Sequence, residues 1–196
     1  LVGFVGTRMQ RALFDDIRAL LNRRTESSTP TFILIDGPAG AGKTTLAKEI
    51  VTTMGVGEII HCDDLYNGWD DALTPTLEHT IKEQILIPMQ EKARVNYRKY
   101  DWVAGRFGEL RVLPATPLII LEGVGCALSS VANVADLSIW IDIPFELGLE
   151  RVLKRDGAAI RQEMIVWITR QDEFFAANRN RENCAIHLPY GAPAQP

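Results

Sequence analysis

Ile35-Asp-Gly-Pro-Ala-Gly-Ala-Gly-Lys-Thr-Thr45 is the stretch that decides the fold of this 196-residue chain. It matches the pattern G-x-x-x-x-G-K-[ST], in which glycines let a loop turn its backbone N–H groups toward phosphate oxygens. The lysine of the pattern reaches the β- and γ-phosphates, and the following hydroxyl holds the Mg²⁺ that bridges them. The stretch therefore predicts a nucleoside triphosphate site with ATP and Mg²⁺ as cofactors. The residues expected to hold the triphosphate are Gly37, Pro38, Ala39, Gly40, Ala41, Gly42, Lys43, Thr44 and Thr45.

The residues on either side of this loop favour a bound nucleotide over a glycine-rich turn without a ligand. Residues 31–35 are continuously apolar after the first threonine and predict a buried strand. Residues 44–54 predict a helix that ends at Gly55. Its apolar side chains, at i, i+3, i+4 and i+7, are Ala47, Ile50, Val51 and Met54. Strand, loop and helix are the setting in which the pattern binds phosphate.

Length and composition limit the classes of protein. The chain suits one domain with a small lid, and its 46% hydrophobic and 23% charged residues are ordinary for a globular protein. A net charge of −4 argues against nucleic acid as a partner, and no apolar run approaches the roughly 18 residues of a membrane span. The three isolated cysteines, Cys62, Cys126 and Cys184, predict neither disulfides nor a metal site, which favours a cytoplasmic location. A homo-oligomer remains open.

The rest of the chain alternates short apolar runs with helical patterns. This alternation predicts βαβ units and a parallel sheet. The predicted fold class is therefore α/β, a three-layer P-loop NTPase or kinase fold with a mostly parallel, about five-stranded sheet. The expected strands are residues 31–35, 58–61, 117–121, 137–143 and 184–188, and the expected helices are residues 7–24, 44–54, 76–91, 144–156 and 160–175. A basic, aromatic segment follows at residues 94–102, and glycines predict a loop from there to Gly108.

Carboxylates follow two of the predicted strands, where ligands of parallel sheets gather. Asp63 and Asp64 come after the second strand, and either is placed to accept the proton of an attacking hydroxyl. The alternative is that one of them caps a turn. Glu122 ends the third strand. Asp142 also follows apolar residues, but we rank it below Glu122 because capping before Pro144 is sufficient to explain it.

Four short motifs in this order resemble the uridine kinase-like family of P-loop small-molecule kinases, which is related to the pantothenate kinase and phosphoribulokinase branches. They are residues 37–45, Asp63-Asp-Leu-Tyr66, Tyr100-Asp-Trp102 with Arg106, and Leu121-Glu-Gly123, and the similarity spans residues 32 to about 156. The resemblance implies a general base at Asp63 and a magnesium-binding role for Glu122, with Thr44 and Asp63 as further metal ligands. It implies acceptor binding by Asp63, Tyr66, Tyr100, Asp101 and Arg106.

The predicted activity is transfer of the γ-phosphoryl group of ATP to a hydroxyl of a small molecule, and the resemblance to uridine kinases implies that this acceptor is nucleoside-like. Gly105 stands where the family has a histidine, so uridine itself is in question. One alternative is a phosphorylated acceptor, either a nucleoside monophosphate or a sugar phosphate. Another is a regulatory nucleotide-binding ATPase that is not a kinase. A cluster of basic residues suits an acidic or planar substrate or, alternatively, a solvated surface: Arg94, Arg98, Lys99, Arg106 and Arg111.

Arginines near residues 151–163 predict a short helical lid, as the resemblance implies. Arg155 and Arg161 are expected to join Lys43 and Asp63 as catalytic residues, because guanidinium groups stabilise charge on a transferring phosphoryl group. The alternative for Arg155 is an ion pair with Asp156 or Glu150. His61, His79 and His187 are interpreted as structural or surface residues, and Trp167 as core.

These patterns predict three regions. Residues 1–30 form an N-terminal amphipathic helix and a linker packed on the domain. Residues 31–188 form the P-loop kinase domain, and residues 189–196 a flexible tail.

Overall fold

The computed structural model describes residues 7–23 and 29–190, with side chains from residue 9 onward in the first segment. Most of the predicted linker, and the predicted tail beyond residue 190, lie outside the described residues.

The sheet that carries the phosphate-binding loop has five parallel strands, which confirms the predicted α/β class. Its strand order is β2-β5-β1-β6-β7, so β1 lies at the centre. A separate antiparallel pair, β3 and β4, lies outside this sheet. The strands within the described residues are β1 (Thr31–Asp36), β2 (Glu58–His61), β3 (Asn96–Asp101), β4 (Arg106–Val112), β5 (Leu118–Glu122), β6 (Leu137–Ile141) and β7 (Ile186–Leu188).

Helices cover both faces of the sheet. Within the described residues they are α1 (Thr7–Arg23), α2 (Lys43–Met54), α3 (Pro75–Ile81), α4 (Ile87–Gln90), α5 (Ser129–Ala132), α6 (Phe145–Asp156) and α7 (Arg161–Asn178). A π-helical turn at Lys82–Leu86 joins α3 to α4, so the predicted helix 76–91 runs past Pro88. A wider turn of this kind accommodates a break in the regular hydrogen bonds. Pro144 is the N-cap residue immediately before α6, whereas the sequence predicted it as the first residue of the helix.

Each face of β1 packs into a separate apolar core because successive side chains of a strand point in opposite directions. Ile33 and Ile35 lie in the core that α1 and α2 cover, together with Leu13 and Ile17 of α1. Phe32 and Leu34 lie in the core on the opposite face. The result is the predicted three-layer arrangement.

The basic, aromatic segment forms β3 of a β3–β4 hairpin that was not predicted, and the predicted loop up to Gly108 is wrong in part, because β4 already begins at Arg106. Tyr97 and Tyr100 are buried on one side of β3 although they lie three residues apart. A β-bulge between Arg98 and Tyr100 shifts the register. The bulge breaks the period-2 pattern that identifies a strand from sequence.

Candidate active site

Two glycines let the phosphate-binding loop lie directly against its neighbours. Gly37 has φ +145° and Gly40 has φ +77°. A Cβ at Gly37 would collide with the carbonyl oxygen of Ile141, and one at Gly40 with that of Gly148. The loop is therefore packed against the end of β6 and against α6, in a conformation that larger residues would not adopt.

Two buried polar side chains hold this loop in place, and the sequence interpretation missed both. Asp36 Oδ1 accepts hydrogen bonds from the backbone N–H of Gly37 at 2.7 Å and of Gly125 at 2.9 Å. Gln171 Oε1, on α7, accepts one from Ala39 N–H at 2.8 Å. Burial raises the pKa of the Asp36 carboxyl. The position of Asp36 directly before the first glycine was the available signal, whereas Gln171 had none.

Lys43 is buried within the phosphate-binding loop and lines the cavity. Its Nζ donates to the carbonyl oxygens of Gly37 at 2.7 Å and Pro38 at 2.9 Å. Burial lowers the pKa of this ammonium, and the charges of Glu122 and Asp36 oppose that shift. The first turn of α2 supplies backbone N–H groups that have no partner within the helix. The loop and the lysine together form an anion-binding site.

Glu122, the last residue of β5, connects α2 to β2 through hydrogen bonds. Its Oε1 accepts a hydrogen bond from Thr44 Oγ1 at 2.8 Å and lies 2.5 Å from His61 Nδ1. Burial alone would raise the pKa of Glu122, but the hydrogen bond with His61 and the charge of Lys43 lower it overall. The same hydrogen bond raises the pKa of His61. His61 therefore belongs to the site. Its interpretation from the sequence, as a structural or surface residue, did not include this role.

Thr44 and Glu122 present the oxygen ligands that Mg²⁺ prefers. In the described part of the chain, no group of three or more His, Cys, Asp or Glu side chains is arranged to hold a metal ion. Mg²⁺ commonly binds through one or two protein ligands together with water and substrate phosphates. The two residues fit such a partly protein-bound ion.

The two aspartates after β2 have different surroundings. Asp63 is exposed and lines the cavity, whereas Asp64 is buried and pairs with Lys99, whose Nζ lies 2.9 Å from Asp64 Oδ1. Desolvation and the charge of Asp64 raise the pKa of Asp63. Asp63 is therefore the accessible carboxylate of the pair, which favours it over Asp64 as a base.

A cavity of about 730 Å³ connects the phosphate-binding loop to an aromatic wall. Tyr66 is fixed by its hydroxyl, which donates to the Val124 carbonyl oxygen at 2.6 Å. The Trp69 ring lies 5.2 Å from that of Trp102 and 5.4 Å from that of Trp167. Trp167 is buried, as predicted for a core residue, but it also lines the cavity. The wall was missed because its members come from distant parts of the chain.

Several predicted acceptor residues do not line this cavity. Tyr100 is buried against Trp102 and Phe107. Asp101 Oδ1 accepts hydrogen bonds from the hairpin turn, and Arg106 is exposed at the start of β4. Their roles in acceptor binding stay predictions.

The basic residues of the hairpin do not converge on one site. Arg98 donates to the Gly108 carbonyl oxygen, while Arg111 donates to Tyr97 and pairs with Glu58. Only Lys99 of the predicted cluster lines the cavity. A common binding surface formed by these residues is therefore not present in this conformation.

The predicted lid corresponds to the end of α6, a short 3₁₀ turn at Ala158–Ile160 and the start of α7. Arg155 lines the cavity and makes two hydrogen bonds to Asp156, at 2.7 and 2.6 Å. Arg161 is exposed and does not line the cavity. The ion pair with Asp156, which was the alternative for Arg155, is therefore present in this conformation. The catalytic roles of Arg155 and Arg161 stay predictions.

This fold and this loop define a P-loop nucleotide-binding protein with the architecture of small-molecule kinases. The family model described as AAA domain matches residues 33–176, and the chain belongs to that family. Uridine kinase from Borrelia duttonii is 29% identical over 135 residues, which cover 62% of this chain and 65% of the relative. The chain therefore matches slightly less than two thirds of that relative's length. The resemblance to uridine kinase-like proteins is confirmed.

Solved structures support the fold. One titled "Possible Uridine Kinase", from Bacillus stearothermophilus, aligns with TM-score 0.57 and 18% identity over 90% of this chain and 99% of the other. D-glycerate 3-kinase from Cryptococcus neoformans aligns with TM-score 0.59 and 14% identity over 87% and 88%. Across residues 7–23 and 29–190, no helix combines the length and apolar character needed to cross a membrane.

Proposed function

We propose that this protein is a cytoplasmic, ATP- and Mg²⁺-dependent kinase that phosphorylates a hydroxyl of a nucleoside-like small molecule. One observation carries the proposal: the Asp63 carboxylate and the Lys43 ammonium line the same cavity, with the Thr44–Glu122 contact also in its wall. A general base within reach of the transferred phosphate is the feature that a kinase needs beyond nucleotide binding.

Each residue has a defined role in the proposed transfer. Asp63 accepts the proton of the acceptor hydroxyl. The oxygen of that hydroxyl bonds to the γ-phosphorus while the bond between this phosphorus and the departing ADP oxygen breaks. Lys43 and the loop N–H groups stabilise the phosphate charge. Thr44 and Glu122 would hold Mg²⁺, and Asp63 is the third predicted ligand of this ion. The bound ion supplies further neutralisation of that charge.

Arg155 is the lid residue best placed to help. It already lines the cavity, and exchange of Asp156 for phosphate oxygens requires the loss of only one exposed ion pair. Arg161 would act only if the lid closes further.

A phosphorylated acceptor is the second candidate, and Lys48 favours it. Lys48 is exposed, lines the cavity, and has no carboxylate partner among the residues that the structure describes. An acidic substituent would find an available cation there.

A panel of nucleosides, nucleoside monophosphates, pantothenate and sugars, assayed with wild-type protein and Asp63→Asn, tests the proposal. Wild type should phosphorylate at least one acceptor, and Asp63→Asn should lower kcat by about 10²–10⁴-fold, because the base is lost. ATP affinity should change little. Asp16→Asn, at an exposed position on α1, is the matched control. Normal phosphotransfer by Asp63→Asn would show that Asp63 is not the base, while ATP binding without any product would favour a regulatory ATPase.

A further inference from the structure

The β3–β4 hairpin presents one lysine to the cavity. Arg98 pairs with Leu110 and Tyr100 with Phe107, so two residues of β4 lie opposite the single residue Lys99 of β3, which marks a β-bulge on β4. The neighbouring residues Arg98 and Lys99 are both exposed. Bulges are frequent beside active sites.

The two exposed side chains then go to different places. Arg98 turns back onto its own hairpin and donates to the Gly108 carbonyl oxygen at 3.0 Å. Lys99 reaches across to the turn after β2, where its Nζ lies 2.9 Å from Asp64 Oδ1. Asp64 directly follows Asp63. The pair with Asp64 thus places an ammonium group beside the carboxylate that is proposed to activate the acceptor.

The Lys99–Asp64 pair is only half enclosed. The side chain of Asp64 is 5% exposed, whereas that of Lys99 is 56% exposed and lines the cavity. An ammonium group carries three N–H donors. Asp64 is the only partner of Lys99 among the described residues. The remaining donors are available on the cavity side, while the buried carboxylate fixes the position of the nitrogen.

We propose that Lys99 is an acceptor-binding residue, held in position by Asp64, and that it donates to an oxygen next to the hydroxyl that Asp63 activates. The inference rests on the proposed kinase function and narrows its acceptor to a neutral compound with at least two neighbouring hydroxyl groups.

Charge and geometry both support a neutral polyol. Asp64 compensates the charge of Lys99, and the adjacent Asp63 carboxylate repels an anion, so this corner of the cavity favours a hydroxyl oxygen over phosphate. Asp101, which the resemblance assigned to acceptor binding, instead accepts hydrogen bonds from the N–H groups of Val103 and Ala104, each at 2.9 Å. Lys99 lies two residues earlier on the same hairpin and is the side chain that reaches the cavity.

Matched acceptors with and without the second hydroxyl test this assignment. Ribonucleosides and their 2′- and 3′-deoxy analogues would be titrated against wild type, Lys99→Met and the neighbouring control Arg98→Met, with tryptophan fluorescence and steady-state kinetics as readouts. Lys99→Met should weaken the ribonucleoside about tenfold or more, since a hydrogen bond from a charged group is lost. Its effect on the deoxy analogue that lacks the contacted oxygen, and on the KM for ATP, should be small. Arg98→Met should bind like wild type.

A double variant separates acceptor binding from a merely structural role. Lys99→Met leaves Asp64 buried without its partner and should lower Tm, and adding Asp64→Asn should restore Tm. If Lys99 only neutralises Asp64, the double variant would also recover acceptor affinity, which would overturn the inference. We expect affinity to remain low in the double variant and to recover partly in Lys99→Arg.

The same titrations distinguish this inference from the proposed function. Product formation by wild type together with unchanged affinity in Lys99→Met overturns the role of Lys99 alone. Stronger binding of nucleoside monophosphates than of nucleosides would overturn the neutral acceptor. Failure of wild type to phosphorylate any acceptor overturns the kinase, and the fluorescence titration still reports whether Lys99 recognises the second hydroxyl.

Discussion

At the scale of single residues, Glu122 and Asp142 illustrate how similar sequence positions acquire different roles. Glu122 ends β5 and Asp142 follows β6, but Glu122 accepts a hydrogen bond from Thr44 of α2. Asp142 instead accepts hydrogen bonds from Trp140 Nε1 at 2.7 Å and from Arg181 at 3.2 and 3.1 Å. These contacts tie β6 to the segment before β7. These contacts, rather than the expected capping before Pro144, occupy the Asp142 carboxylate, and its rank below Glu122 as a metal ligand stays a prediction.

Asp142→Asn is expected to change stability with pH while leaving phosphotransfer intact. Burial raises the pKa of Asp142, but Arg181 and Trp140 lower it overall from 3.8. A lowered pKa in the folded state contributes stability above the unfolded value, and that contribution is lost as pH falls through the folded value. For this exposed pair we expect the wild type to exceed the variant by about 0.5–1 kcal/mol at pH 6, and this difference to shrink progressively as pH falls below 3.8 through the lower folded value.

Urea denaturation at several pH values measures that difference. A gap that stays constant into the acid range would mean that the charge of Asp142 is not responsible. Loss of phosphotransfer in Asp142→Asn would instead place this residue in the active site.

At the scale of elements, strands and helices with uninterrupted periodicity were predictable. The strand at Glu58–His61 and the helix at Lys43–Met54 agree with the sequence patterns to within one residue. The β3–β4 hairpin was not predictable in this way, because the neighbouring residues Arg98 and Lys99 are both exposed, which breaks the period-2 pattern of a strand. Its turn signal, Gly105 at φ +65°, was present but was interpreted as part of a loop.

The phosphate-binding loop should be more sensitive to an added methyl group than a glycine elsewhere with a similar backbone. Gly40 and Gly55 have φ of +77° and +71°, but only at Gly40 would a Cβ collide with a neighbour, the Gly148 carbonyl oxygen. Gly55→Ala should cost about 1 kcal/mol of stability and leave ATP affinity unchanged. Gly40→Ala should lower stability further and weaken ATP binding at least tenfold, because the loop must move away from α6.

Isothermal titration with an ATP analogue, combined with thermal unfolding, compares the two variants. Equal effects of both substitutions on affinity would contradict the idea that close packing of the loop against α6 sets its geometry.

At the scale of the whole molecule, the donor side of the site was predictable and the acceptor side largely was not. The phosphate-binding residues are contiguous in sequence, and Asp63 and Glu122 follow strands that meet at one edge of the sheet. The aromatic wall combines Trp69, Trp102 and Trp167 from three separate elements. No local pattern relates such residues, because their proximity depends on how the hairpin and α7 pack against the domain.

The N-terminal helix is expected to contribute to stability without contributing to the site. Ile17 is fully buried and Leu13 nearly so, whereas Met9, four residues before Leu13, is 45% exposed. Both buried residues belong to the core shared with α2, and neither lines the cavity. Ile17→Ala should therefore lower the free energy of unfolding by about 2–4 kcal/mol, through lost burial and the cavity that remains. Met9→Ala should change it by less than about 0.5 kcal/mol.

Urea denaturation and kinetics on the same two variants complete this test of the predicted packing of residues 1–30 on the domain. Because Ile17 lies in the core and does not line the cavity, KM values for ATP and acceptor should match wild type wherever Ile17→Ala remains folded. A small loss of stability in Ile17→Ala would show that α1 is not part of the cooperative unit. A changed KM in a fully folded variant would show instead that a change in the core between α1 and α2 alters the conformation of the phosphate-binding loop.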